Sequence, residues 1–401
     1  VTLVVTSTPI DDDRPLPVLA PVPDALLWLR RGTGMAAWGR AHGIEVGTGP
    51  HRAARIRAQV ADLDVAGDPR DLRVFVSLTF DPDAPRSRAT IPRRILVRDD
   101  VGTRLVAIDP VGARDAVPAP GGGDPPRAHN DRIRYAGSSL PDLHWLEAVA
   151  TATARIERGE ARKVILARDH AVWCHEPFDP RHLAMRLGRR FPGCWTFHHD
   201  GYVGATPELL LARRGDHVRS LVLAGTTGRD PDPEVDARLA RDLAASDKDR
   251  REHALAVDSV TEVLGEVCDD VVAPTTPEVL DLDNVRHLAT DVTARLHEDL
   301  SAVEVADRLH PTAAVGGTPR TAALAMIRAL EGMDRDRYAA PIGWMDATGD
   351  GEFGIALRCA RLSGARARLF AGVGIVAGSL PEDELSETRL KLLAMQQALG
   401  T

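Results

Sequence analysis

The sequence is poor in aromatic residues, with seven Phe, six Trp and three Tyr in 401 positions. Its core must be packed mainly by Leu, Val and Ala. Cysteine is scarce as well. Cys174, Cys194, Cys268 and Cys359 fit neither zinc-site spacing nor a disulfide framework, so reduced, partly buried thiols and a cytoplasmic location are expected. Long apolar runs are missing. The most suggestive uncharged stretch, Leu369 to Leu380, has 12 residues, where a membrane span needs about 20. Its three glycines suit a buried strand and turn, and no membrane association is expected. The opening VTLVVTSTPIDDD has no basic region followed by an apolar one, so no secretory signal is expected. Positive charge is not in excess either. Fifty Lys and Arg face 58 Asp and Glu, a formal charge of −8, which argues against a nucleic-acid partner. The short clusters Arg52, Arg55, Arg57 and Arg86, Arg88, Arg93, Arg94 read as solvated surface. No G-x-G-x-x-G follows a first strand, and neither C-x-x-C nor H-E-x-x-H occurs, which removes the usual dinucleotide and zinc signatures.

What is present is a mixture of strands and helices without a βαβ rhythm, which favours an α+β fold. Strands are predicted at Leu72 to Phe80, twice within Arg94 to Ile108, at Glu160 to Arg168, and at Val218 to Gly225. A hairpin turning at Asp200-Gly201 is predicted for Cys194 to His198 and Tyr202 to Ala205. Glu352 to Leu362 and Arg368 to Val376 read as paired strands. Helices are predicted at Leu140 to Arg155, Leu183 to Arg190, Glu234 to Ala244, Asp247 to Glu266, Val303 to Leu309, Thr321 to Glu331 and Glu384 to Leu399. The first 113 residues offer no catalytic feature. PAPGGGDPP (118–126) reads as a loop or boundary, and the character of the chain changes after Asn130.

Four features could carry chemistry. Glu384, Glu387 and Lys391 share one side of the last helix, just after a strand thinned by Gly372, Gly374 and Gly378. Read blandly they form an exposed pair worth about 0.2–0.5 kcal/mol. Asp249 and Glu252 lie in SDKDRREH, which also reads as an exposed helix start capped by Ser246 or Asp247. Two helices each offering a carboxylate could hold one Mg²⁺, which uses one or two carboxylates plus waters and substrate oxygens. Lys163 sits mid-strand and either snorkels or is a functional amine. Glu208 is either a buried general acid or an exposed edge residue.

Eight ordered segments resemble the chorismate-utilising enzyme family: KVILAR (163–168), GATPELLL (204–211), LAGTTGR (223–229), SDKDRREH (246–253), VRHLATDV (285–292), LHPTAAVGGTPR (309–320), PIGWMDATGDGEFGIALRCA (341–360) and AGVGIVAGSLPEDELSETRLK (371–391). The resemblance implies one large α+β domain over residues 1–401, with two stacked antiparallel sheets, helices outside and a cleft. Residues 1–130 would be its variable part and 131–401 its motif-bearing part. It implies chorismate as substrate and Mg²⁺ bound by Glu252 and Glu387, with Glu384 and Asp249 as helpers. Arg358 and the backbone at Gly374 resemble carboxylate anchors, Lys391 a cleft lysine, and His287 and Thr226 residues lining the ring and leaving hydroxyl.

Within the family, lysine at position 163 implies water rather than ammonia as nucleophile. Lys163 would be its base and Glu208 the acid for the departing hydroxyl. HPTAAVGG resembles the isochorismate synthase form HPTPAVGG and departs from it at Ala313, a change expected to cost roughly 1 kcal/mol or less. The resemblance therefore implies an isomerase acting as a monomer without a glutaminase subunit. Salicylate synthase and a non-catalytic chorismate-binding homologue are the alternatives.

Overall fold

Two sheets carry the chain in the computed structural model, which describes residues 1–128, 133–282 and 285–400. The change of character placed after Asn130 falls outside the described residues. Among those described, the larger sheet has 13 strands and the smaller 10. They are built from antiparallel pairs, with one parallel edge pair between Thr2–Ile10 and Asp64–Ala66. The motif-free first third supplies inner strands to both sheets. Leu26–Arg30 pairs with Trp195–His199, and Arg73–Ser77 pairs with Pro341–Asp346.

Side chains alternate across a strand, and each face of the larger sheet has its own core. Ile95 and Val97 pack with Trp28, and with Val74, Val76 and Ile342 of the smaller sheet. The intervening Leu96 points the other way, into a core with Leu183 and Leu187 of the helix Pro180–Arg190 and Leu392, Met395 and Leu399 of the helix Pro381–Leu399. The α+β architecture with outer helices is thus present, and all four cysteines are buried. No helix among the described residues is long and apolar enough to cross a membrane.

Local chemistry accounts for the element ends that matter below. Ser246 accepts the Asp249 N–H at 3.2 Å and starts the helix Asp247–Val267. Asp200 and Gly201, at φ 47° and 82°, make the hairpin turn between Trp195–His199 and Tyr202–Thr206.

Two expectations are corrected. Glu352 to Leu362 is not one strand. Gly351–Ile355 belongs to the smaller sheet and Cys359–Ser363 to the larger, and only the latter pairs with Arg366–Ile375. The chain turns between them, with Arg358 in the left-handed region at φ 44°. Arg52 and Arg93 are not solvated surface. Arg52 is 1% exposed, pairs with Asp307 at 2.8 Å and donates to the Thr79 carbonyl at 2.8 Å. Arg93 donates to Asp109 at 2.9 Å. Both are drawn inward because each guanidinium meets an acid and a carbonyl there.

Candidate active site

The chain passes between the sheets at two adjacent points, and each delivers a site residue. Pro207-Glu208 links Tyr202–Thr206 of the larger sheet to Leu209–Arg214 of the smaller. The stretch 356–358 makes the reverse passage. The two are tied together: the Ile355 N–H donates to the Glu208 carbonyl at 3.3 Å, and the Ala205 N–H to the Arg358 carbonyl at 3.2 Å. Strand ends fixed on both sides thus hold the backbones of Glu208 and Arg358 close together.

Glu208 is 5% exposed. Burial pushes its carboxyl up to about 8, with the nearby Lys163 charge opposing that rise. The neutral acid is therefore the dominant form at pH 7. Of the two readings of Glu208, the buried one describes this geometry.

Lys163 opens the strand Lys163–Trp173, whose other long neighbour is Arg366–Ile375. Where no further strand continues the ladder, a buried ion pair takes over. Glu331 accepts the Ala167 N–H at 2.9 Å, and Arg335 donates to the Ile165 carbonyl at 2.8 Å. Lys163 is 1% exposed, and its Nζ donates to Glu252 Oε1 at 2.8 Å. It does not snorkel. Ile165 faces Gly374 across the ladder, so Lys163 lies along the same face. A Cβ at Gly374 would come within 2.8 Å of Lys163 Cε and 3.3 Å of Glu252 Oε1. The glycine leaves room for that ion pair.

The four acids sit on two helices, Glu252 and Asp249 on Asp247–Val267 and Glu384 and Glu387 on Pro381–Leu399. Burial works to raise the Glu252 pKa. The Lys163 charge and hydrogen bond, with Lys391 and Lys248 behind them, outweigh burial and hold it below the usual range. Burial raises the Glu384 pKa despite a hydrogen bond from Ser379, and the like charge of Glu387 adds to the rise. Lys391 bridges Glu387 at 2.8 Å and the Gly372 carbonyl at 2.9 Å, clamping helix to strand. Lys248 was missed by sequence reasoning, although it stands four residues before Glu252 in a segment singled out.

Among the described residues, no three His, Cys, Asp or Glu side chains converge to enclose a metal ion. An all-oxygen pair of carboxylates on separate helices still suits Mg²⁺, which keeps waters and completes its shell with ligand oxygens. The residues present fit such an ion.

The third group centres on His287, in the strand Val285–Leu296. Its Nδ1 lies 2.9 Å from Thr226 Oγ1 and its Nε2 lies 2.9 Å from an Arg358 guanidinium nitrogen. Burial, then the Arg358 and Lys391 charges, pull its pKa down to about 3, so the ring is neutral. Among the described residues, Arg358 has no carboxylate partner. Besides His287 it reaches the Cys194 sulfur at 3.8 Å, and burial lowers its pKa with that sulfur opposing. A partly buried guanidinium without a counter-ion is a receptor for an anion.

A family model described as "Chorismate binding enzyme" matches residues 123–400. The chain belongs to this family of chorismate-utilising enzymes. The salicylate biosynthesis isochorismate synthase of Pseudomonas aeruginosa is 40% identical over 266 residues, 64% of this chain and 54% of that protein. The isochorismate synthase EntC of Escherichia coli is 37% identical over 268 residues, 65% of this chain and 68% of that protein. The solved structure of MenF, the menaquinone-specific isochorismate synthase from Escherichia coli, superimposes with a TM-score of 0.82 at 26% identity, covering 99% of this chain and 94% of that one.

Proposed function

We propose that this chain is an isochorismate synthase, a cytoplasmic isomerase that interconverts chorismate and isochorismate by adding water at C2 and expelling the C4 hydroxyl. The observation that carries the reading is that Glu208, neutral at pH 7 through burial, lies close enough to buried Lys163 to feel its charge. The reaction needs one group that gives a proton and one that takes a proton in a single turnover. Relatives named for this activity support the choice of substrate.

Glu208 delivers its proton to the departing C4 hydroxyl oxygen, which leaves as water while the ring double bond shifts. Lys163 takes the proton of the water that attacks C2. Its Nζ donates to Glu252 in the ligand-free arrangement, so the ammonium must first pass a proton to Glu252 or to solvent before the neutral amine can take one from the attacking water. Arg358 and the backbone at Gly374 would anchor a substrate carboxylate. Glu252 and Glu387 would hold Mg²⁺, with Glu384 and Asp249 as helpers; the ion supplies positive charge that lets an anionic ligand approach these acids. The chain would act as a monomer and take up water, with no glutaminase subunit.

The test is incubation of the pure protein with chorismate and Mg²⁺, followed by chromatography. Isochorismate should appear and approach a constant ratio to chorismate from either side. Its absence would overturn the reading.

A further inference from the structure

The hydrogen bonds around His287 have a direction. A guanidinium carries only donors, so the Arg358 nitrogen 2.9 Å from His287 Nε2 must donate to it. Nε2 is then an acceptor, and the proton of the neutral ring resides on Nδ1. The opposite tautomer would set two N–H groups against each other and leave a partly buried donor without an acceptor. A protonated Nδ1 donates to Thr226 Oγ1 at 2.9 Å. The threonine oxygen is therefore occupied as an acceptor, and its own hydroxyl proton is turned away. Among the described residues, that proton has no acceptor, and Thr226 is exposed.

The backbone arranges this contact. His217–Gly228 pairs with Val285–Leu296, and the register slips between Ala224 and Thr226, so that Thr226 stands opposite His287. The slipped residue is Gly225, at φ 74°. Such a bulge re-aims the next side chain, and a Cβ at Gly225 would crowd Asp249 Cβ at 3.1 Å.

We infer that Arg358, His287 and Thr226 form a one-way hydrogen-bond chain that makes the Thr226 hydroxyl an obligate donor to a ligand oxygen. Resting on the proposed function, that oxygen is the hydroxyl expelled from C4. Thr226 donates to it while Glu208 protonates it, and His287 is a positioning residue. The chain also links the carboxylate anchor to the reacting end, since the guanidinium that binds one end of the substrate fixes the donor at the other.

Two measurements test this. In protein labelled with ¹⁵N-histidine, two-bond proton–nitrogen correlation reports each tautomer, and the His287 signals are those lost in His287→Gln. The ligand-free protein should show a neutral ring protonated on Nδ1 at pH 7, and Arg358→Met should release that preference. A ring protonated on Nε2, or doubly protonated, overturns the chain. In turnover, Thr226→Val should lower kcat by about 10-fold or more, and Thr226→Ser should restore most of it. A Thr226→Val enzyme with parental kcat overturns the donor role. Parent protein that leaves chorismate unchanged would refute the proposed function instead, and the tautomer would still decide the chain.

Discussion

The ammonium of Lys163 and the carboxylate of Glu252 meet at 2.8 Å, joining the strand Lys163–Trp173 of the larger sheet to the helix Asp247–Val267. The contact is lopsided, because Lys163 is fully enclosed while the Glu252 side chain remains 26% exposed. Lys163→Ala therefore leaves a carboxylate that water can still solvate, and the fold should survive. The proposed base is lost, so kcat should fall by roughly 10²–10⁴, the usual range for a positioned proton transfer. Chorismate affinity, read by calorimetry, should change far less. A variant with parental kcat would remove Lys163 from the mechanism.

Glu208 makes the reaction and the fold depend on pH in the same window. Its carboxyl sits at about 8 in the folded protein against an ordinary 4.5. Between those values the folded state holds a proton that the unfolded state has released, so stability falls as pH rises through the window. Glu208→Gln abolishes this slope. Its melting midpoint should exceed the parent's at pH 9, and the two should converge toward pH 4. Parental kcat should also decline as pH passes about 8, because the acid form disappears. Glu208→Gln should lose roughly 10²–10⁴ in kcat. Parallel melting curves at every pH would show that Glu208 is not held neutral.

Much of this was legible in the sequence, for identifiable reasons. Helices such as Asp142–Glu157 and Asp247–Val267 have long apolar stripes, and their predicted limits lie close to the observed ones. The turn at Asp200-Gly201 follows from the residues that tolerate positive φ. The passage at 356–358 could not be read, because Arg358 takes a left-handed conformation with no glycine to announce it. Arg52 looked like surface because its partner Asp307 is remote in sequence. Acids and lysines could be named as candidates from their segments. That Lys163 lies across Gly374 to reach Glu252 depends on strand register, which no local pattern specifies.

Ala313, where the HPTPAVGG form has proline, has a use in this chain. It is 1% exposed, and its N–H donates to Ser259 Oγ at 3.1 Å. Ser259 in turn donates to the Ala256 carbonyl at 2.7 Å. A proline would delete the first bond. Ala313→Pro should cost about 1 kcal/mol, the reverse of the sign expected from proline entropy alone, because the lost bond outweighs that gain. In a Ser259→Ala background the same change should cost less. Equal costs in both backgrounds, measured by denaturant unfolding, would mean that the Ser259 contact contributes nothing.

The metal prediction follows from charge. Glu252 and Glu387 belong to the site proposed to bind a dianion, and without a cation they would repel it. Affinities for Mg²⁺ and for chorismate should therefore rise together in calorimetric titrations. Glu387 is exposed and paired with Lys391, so Glu387→Gln should weaken Mg²⁺ binding while leaving the melting midpoint nearly unchanged. Chelator should abolish turnover and added Mg²⁺ restore it; full turnover in chelator would dismiss the ion.

The product decides between two fates of the same intermediate. An isochorismate synthase and a salicylate synthase share the first step, so chorismate consumption cannot separate them. Salicylate formation adds a C–O cleavage that expels pyruvate and makes the ring aromatic, which draws the reaction to completion. Exchange of one ring hydroxyl position for another gains no such stabilisation and should settle near balance. The HPTAAVGG segment resembles the isochorismate synthase form, so product release is expected to precede elimination. In a time course coupled to lactate dehydrogenase, pyruvate should stay at the background of spontaneous breakdown while chorismate falls to a plateau. Ammonium should give no aminated product. Pyruvate released in step with chorismate loss would reassign the chain to salicylate synthesis.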